Sequence, residues 1–359
     1  MKVAHIVDSL DVGGAEVLVS QMCSLQRALG DEPSVFAIST LGTLGERMLD
    51  EGFRVWHHMG RNLPDGTRNL YNAFRQFSPD VVHFHNPTPT IYGALAARTA
   101  GVRSIVSTRH SLVAKPRRPL EELKYAVAAV CCDWVVGICD ATVDNLRSLH
   151  IIAPRKIVRV YNGVSPLTRV PPEQRPLKEG FTLLFVGRLE AVKNHSLLLR
   201  AFSAAHTQNP GLRLWLVGDG SERTRLEALA ASLGISAAVT FWGQQIDVAP
   251  FFSAADLFIM SSISEGLPMS LLQAFSIGLP AIVTDVGGMA EAVRLANAGI
   301  TIPSMQPDEM AAVILRLAED ADERKRLSAN ASTAFQSDFS LRMTVRAYRQ
   351  LYQSRTATR

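Results

Sequence analysis

Short β-rich runs alternate with helical patterns along the whole of this chain, and that alternation leaves little choice of architecture. Strand, helix, strand in repetition is the unit of a parallel sheet covered by helices on both faces. Residues 3–7, 34–39, 55–58, 81–85, 104–107, 134–138 and 157–160 read as strands, with helical patterns at 16–29, 46–51, 70–77, 91–100, 120–131 and 141–149. The cycle then restarts. Strands are expected at 182–186, 213–217, 239–242, 257–260, 281–284 and 299–302, and helices at 195–208, 222–233, 248–253, 270–277, 290–296 and 307–318. Between the two series, residues 165–179 carry four prolines among scattered charges, which suits an exposed linker. A chain of 359 residues also exceeds what one hydrophobic core usually supports. The expectation is an α/β protein of two Rossmann-like doubly wound domains, 1–165 and 181–338, joined by a linker at 166–180. The carboxyl ends of both sheets would meet a shared cleft, the usual place for a ligand. An amphipathic helix within 339–359 is expected to pack back across the first domain.

Composition narrows the classes of function. The apolar share of 47% and charged share of 19% belong to a globular chain and not to a disordered one. Met1 to Val7 runs into Asp8 and Asp11 and reads as a strand rather than an export signal. The longest apolar run, 125–139, contains Asp133 and is too short to span a bilayer, so a cytoplasmic protein is expected. Cys23, Cys131, Cys132 and Cys139 have no paired zinc spacing and read as reduced thiols. A net charge of +4 favours anionic ligands or an anionic membrane surface and is too weak and dispersed for nucleic acid.

The residues with chemical character gather where strands end. The run 181–186 leads into Gly187-Arg188-Leu189-Glu190-Ala191-Val192-Lys193-Asn194, with Asn194 as the expected helix cap. Free backbone N–H groups at a helix start attract anions, and Arg188 and Lys193 add two positive charges, so a diphosphate would fit. Gly218 and Gly220 permit a second tight turn at a strand end. After strand 257–260 comes a loop with Glu265 and Gly266, then a helix beginning near Ser270 that presents Gln273. A carboxylate and an amide placed there could grip hydroxyls on different parts of an extended ligand. His83 and His85 share one face of a strand, as period-two geometry requires. A third metal ligand is not evident beside them, and no Asp-x-Asp motif sits at a strand end, so no metal and no other cofactor is expected.

The segment from Ser261 to Pro280 resembles the signature of the retaining glycosyltransferases of family four, which have the two-domain GT-B fold. The resemblance extends over nearly the whole chain: Gly13-Gly14-Ala15-Glu16, Thr108-Arg109-His110, Asn162-Gly163-Val164, Val186-Gly187-Arg188-Leu189 with Lys193, Val217-Gly218-Asp219-Gly220, Glu265-Gly266-Leu267-Pro268 and Gly287-Gly288-Met289-Ala290-Glu291. It implies a metal-independent transfer of a hexose-type sugar from a UDP- or GDP-sugar to a glycan or lipid-linked acceptor. Arg188 and Lys193 would neutralise the departing diphosphate, and Glu265 would bind donor sugar hydroxyls. Gly266 and Leu267 would offer backbone contacts, and Gly13 and Gly14 would let the first loop close over phosphate and acceptor. His110 corresponds to the histidine near the sugar and the reacting centre, while His85 and Asn86 would line the acceptor side. One position departs: the second glutamate of the E-x7-E motif is Gln273, where the donor ribose is expected, and this raises the alternative of a catalytically silent GT-B nucleotide-binding or partner protein. The basic run Lys115-Pro116-Arg117-Arg118 suits a solvated surface, peripheral association with the inner face of the membrane, or a lipid-linked diphosphate acceptor.

Overall fold

The computed structural model describes residues 1–11, 13–60, 62–112, 119–303 and 305–356. The chain divides into two compact units, Met1–Val164 with Leu341–Arg359, and Ser165–Ser340. In the first, β1 (Lys2–Val7), α1 (Gly14–Ala28), β2 (Glu32–Ala37), α2 (Gly42–Asp50), β3 (Arg54–Trp56), α3 (Leu63–Phe77), β4 (Val81–His85), α4 (Pro87–Thr99), β5 (Ser104–Arg109), α5 (Pro119–Ala129), β6 (Trp134–Gly137), α6 (Asp140–Arg147) and β7 (Ile157–Arg159) follow one another. Seven strands pair in parallel in the order β3-β2-β1-β4-β5-β6-β7. β4 and β5 are buried along their whole length, as expected of central strands covered on both faces. Phe36, Phe74, Phe84, Ile105 and Tyr125 are among the side chains filling the core under the helices.

The second unit continues with β8 (Phe181–Val186), α7 (His195–Gln208), β9 (Leu212–Val217), α8 (Arg223–Ser232), β10 (Val239–Gly243), α9 (Ala249–Ala254), β11 (Leu257–Met260), α10 (Met269–Ser276), β12 (Ala281–Thr284), α11 (Gly287–Ala296), β13 (Gly299–Ile302), α12 (Pro307–Glu319) and α13 (Ala321–Ala334). Its six strands are again all parallel, in the order β10-β9-β8-β11-β12-β13. The proline-rich run before β8 holds one 3₁₀ turn, Pro172–Gln174. It lies on this unit, the Leu167 and Val170 amides donating to the hydroxyls of Ser276 and Ser253 at 3.1 Å each.

The last helix, α14 (Leu341–Thr356), belongs to the first unit. Its entry is fixed where the Leu341 amide donates to the Val164 carbonyl at 2.9 Å. Val345, Tyr348 and Tyr352 are buried, and both tyrosine hydroxyls find polar partners on the sheet. Tyr348 lies 2.9 Å from the Thr108 hydroxyl and Tyr352 lies 2.7 Å from His83 Nδ1. A buried tyrosine needs such a partner for its hydroxyl, so these bonds give the helix one seat.

Three differences from the sequence expectation have local causes. α3 starts at Leu63 and not near residue 70, because Asn62 caps it, accepting from the Asp65 amide at 3.0 Å, with proline in the first turn. α13 carries little apolar signal, since of its sequence only Leu327, Ala331 and Ala334 are buried. Asn194 makes no side-chain cap: its backbone is left-handed at φ 50°. Ser261 instead ties that turn down, its hydroxyl lying 2.9 and 3.0 Å from the carbonyls of Lys193 and Asn194. Among the described residues all four cysteines are free, and no helix is long and apolar enough to cross a membrane.

Candidate functional site

Each sheet has one point where its strand order reverses, and the loops leaving the two strands there diverge to leave a crevice. In the second sheet that point lies between β8 and β11. The β8 loop carries Arg188 and Lys193, and the β11 loop carries Glu265, so topology alone brings those two segments together. Lys193 Nζ forms an ion pair with Glu265, both side chains being largely out of solvent. The Ser262 hydroxyl donates to the same carboxylate at 3.0 Å, which holds Glu265 in place. Arg188 is exposed and pairs with no carboxylate among the described residues. A free guanidinium and a lysine shared with a carboxylate can together meet an oxyanion and a neighbouring hydroxyl.

The rest of the second-unit set lies on the β9 and β11 loops and on α10. Leu267 is buried at the foot of the loop, Gly266 is half-buried, and α10 begins at Met269 with no side-chain cap on its first turn. Gln273, one turn further, is half-buried. Gly218 directly follows β9, beside β8, with φ 134°, and a side chain there would strike the Gly187 carbonyl. Only glycine allows the two strand ends to approach so closely. His195, the first residue of α7, was not apparent as a site residue from the sequence. It is buried with neither ring nitrogen partnered, and burial, reinforced by the charges of Lys193 and Arg225, lowers its pKa to about 4. Its only sequence signal is its place two residues after Lys193.

In the first sheet the order reverses between β1 and β4. Gly13 precedes α1, where a side chain would collide with the Glu16 carboxylate, and Gly14 opens the helix. Burial raises the Glu16 carboxyl above its ordinary value. His85 ends β4, Asn86 follows with a left-handed backbone, and the Asn86 side-chain oxygen accepts from the His110 amide at 3.0 Å. His110 Nε2 lies 3.0 Å from His85 Nδ1. His85 is therefore only 2% exposed and stands behind His110 rather than at a surface. The run 115–118 lies outside the described residues.

Register adds a residue to this group. His5 of β1 pairs with His83 of β4, and one ring nitrogen from each of His5, His83 and His85 lies within 4.8 Å of the other two. The third imidazole that the spacing His83-Phe84-His85 does not reveal is thus supplied from a strand almost eighty residues away in sequence. All these nitrogens are engaged: His5 with Gln26 and His85, His83 with Tyr352 and Thr108, His85 with His5 and His110. Burial holds His5 and His110 at about 4, and holds His83 and His85 well below the ordinary histidine value, with the neighbouring rings adding to the effect. The cluster is uncharged near neutral pH.

Comparison with known proteins accords with this geometry. The model of the family Glycosyltransferase Family 4 matches residues 12–166, and that of Glycosyl transferases group 1 matches residues 169–334. A D-inositol 3-phosphate glycosyltransferase of Streptomyces bingchenggensis is 26% identical over 367 residues, covering 90% of this chain and 80% of its own. An Escherichia coli UDP-Gal:alpha-D-GlcNAc-diphosphoundecaprenol alpha-1,3-galactosyltransferase is 27% identical over 270 residues, 70% of each chain. Among solved structures, the Anabaena protein HepE in complex with UDP superposes with a TM-score of 0.87 at 19% identity over 99% of this chain and 100% of that one. WaaG, a glycosyltransferase involved in lipopolysaccharide biosynthesis, gives 0.75 at 20% identity over 97% and 99%. The two family models meet near the end of the first unit and between them span nearly all of the chain, which therefore belongs to the group 1 glycosyltransferases, enzymes of GT-B fold that use a nucleotide sugar.

Proposed function

We propose that the chain moves a hexose-type sugar from a UDP- or GDP-sugar to a glycan or lipid-linked acceptor, with retention of anomeric configuration and without a metal ion. The observation that carries this reading is the Lys193–Glu265 pair at the reversal point of the second sheet. Lys193, with Arg188 and the uncapped start of α10, offers positive potential to a diphosphate whose charge grows as the sugar leaves, so the interaction strengthens toward the transition state. Glu265 accepts from sugar hydroxyls once Lys193 turns to phosphate. Gly266, Leu267 and Gly218 let backbone approach the donor, Gln273 hydrogen-bonds its ribose without charge, and Gly13 and Gly14 shape the first loop. His110 meets the sugar near the reacting carbon, with Asn86 and His85 behind it. The relatives' names support the donor class: HepE is solved with UDP, and the Escherichia coli relative is named for UDP-Gal and a diphosphoundecaprenol-linked sugar. A lipid-linked acceptor would bring the chain to the inner face of the membrane.

Lys193→Ala and Glu265→Ala should each lower kcat/KM on the order of 10²- to 10³-fold, the usual effect of removing one stabiliser of transition-state charge. Their near-UV circular dichroism should stay that of the parent. Transfer is followed with UDP- and GDP-hexoses against soluble and lipid-linked acceptors, in EDTA, with the product anomer read by NMR. Parent-like turnover in either variant would reject the site, an inverted product would reject retention, and loss of activity in EDTA would reject metal independence.

A further inference from the structure

Gln26 on α1 and His5 on β1 have no part in the roles above, yet they close a line of ring nitrogens that opens at His110. Gln26 Oε1 lies 2.8 Å from His5 Nε2, His5 Nδ1 lies 3.0 Å from His85 Nε2, and His85 Nδ1 lies 3.0 Å from His110 Nε2. A neutral imidazole donates from one nitrogen and accepts at the other, so an unbroken line obliges all three rings to take the same tautomer. An amide oxygen at the inner end can only accept. It takes the His5 Nε2 proton, His5 Nδ1 accepts from His85, His85 Nδ1 accepts from His110, and the last lone pair falls on His110 Nδ1. The opposite polarity would give His110 an Nδ1–H, which would donate to the Asn162 amide beside it. His110 Nδ1 and Asn162 Oδ1 are both buried and neither has a hydrogen-bond partner. Buried unsatisfied acceptors at a site are complementary to hydroxyl donors of a ligand. His83 stands outside the line, bonded to Tyr352 and Thr108.

We propose that Gln26, acting through His5 and His85, is a positioning residue that fixes the Nε2-protonated tautomer of His110, so that His110 Nδ1 offers a lone pair to a hydroxyl of the sugar or acceptor. The inference rests on the placing of His110 at the reacting centre. Burial keeps all three rings uncharged, so the line transmits a tautomer and not a charge.

Nitrogen-15 spectra of histidine-labelled full-length protein at neutral pH read the tautomers directly. His5, His85 and His110 should all be protonated at Nε2. Gln26→Leu, of similar volume, should mix the tautomers at His110, two rings away, and lower kcat at least about tenfold, as when an orienting group behind a working imidazole is lost. The KM for the donor should change little. Gln26→Glu, which still accepts, should restore both the tautomer and the rate, and Gln26→Leu should add nothing in a His110→Ala background. An Nδ1 proton on His110 in the parent protein overturns the proposal, as does stoichiometric zinc in the purified protein. So does a Gln26→Leu variant with unchanged His110 shifts. If His110→Ala itself keeps full turnover, the functional placing of His110 fails, whatever the tautomers show.

Discussion

At the scale of residues, the first unit spends its most protected polar space on neutral imidazoles. His5 and His110 have pKa values near 4, against about 6.5 for histidine in an unfolded chain. Between those values the unfolded chain binds more protons than the folded one, so stability rises with pH across the window and is lost on acidification from about 6.5 toward about 4. Each such histidine contributes on the order of 3 kcal/mol at neutral pH, and less than additively, because the rings are linked through His85. The urea midpoint should hold steady from about pH 8 to 7 and fall from about pH 6.5 to 5.5, above the range of ordinary carboxylates. A midpoint flat over that interval would show that these rings are charged in the folded state. Glu265, Lys193 and the loop glycines are legible from sequence because each sits in a short run with a fixed place after a strand. His5 is not, since nothing within twenty residues of it hints at a partner on β4.

Elements were legible in proportion to how local their causes are. β4, β11, β12 and β13 match the expected bounds at both ends, and β8 and β9 to within a residue; β4, β11 and β12 are buried throughout, and buried parallel strands read as apolar runs. α13 escaped because its buried face is mostly alanine, and the start of α3 was hidden by Pro64-Asp65-Gly66, a sequence equally suited to a turn. α14 tests what long-range polar contacts add to an amphipathic helix. Tyr352→Phe keeps the ring and deletes the hydroxyl, leaving His83 Nδ1 buried without its partner. The expected cost is about 1–3 kcal/mol in urea unfolding, the penalty of an unsatisfied buried group. A variant as stable as the parent would mean that the Tyr352 hydroxyl does not help to seat the helix.

At the scale of the molecule, two units each close their own core and their own parallel sheet, and Arg188, Lys193 and Glu265, the charged candidates for the donor, lie in the second. A ligand that binds only the folded state adds about 2.7 kcal/mol at a hundred times its Kd. The matching nucleotide among UDP and GDP should therefore raise the melting temperature by several degrees, and Lys193→Ala should remove most of that rise. Equal shifts in parent and variant would place the diphosphate elsewhere. The sequence by itself determined the alternation of elements, the α/β class and the loops that carry charge, because strand burial, helix periodicity and turn chemistry are written within a few residues. Only the tertiary structure decided that Lys193 meets Glu265 and that His5 and Gln26 stand behind His110. Those meetings depend on which strands become neighbours and in what register, and that is a property of the whole sheet.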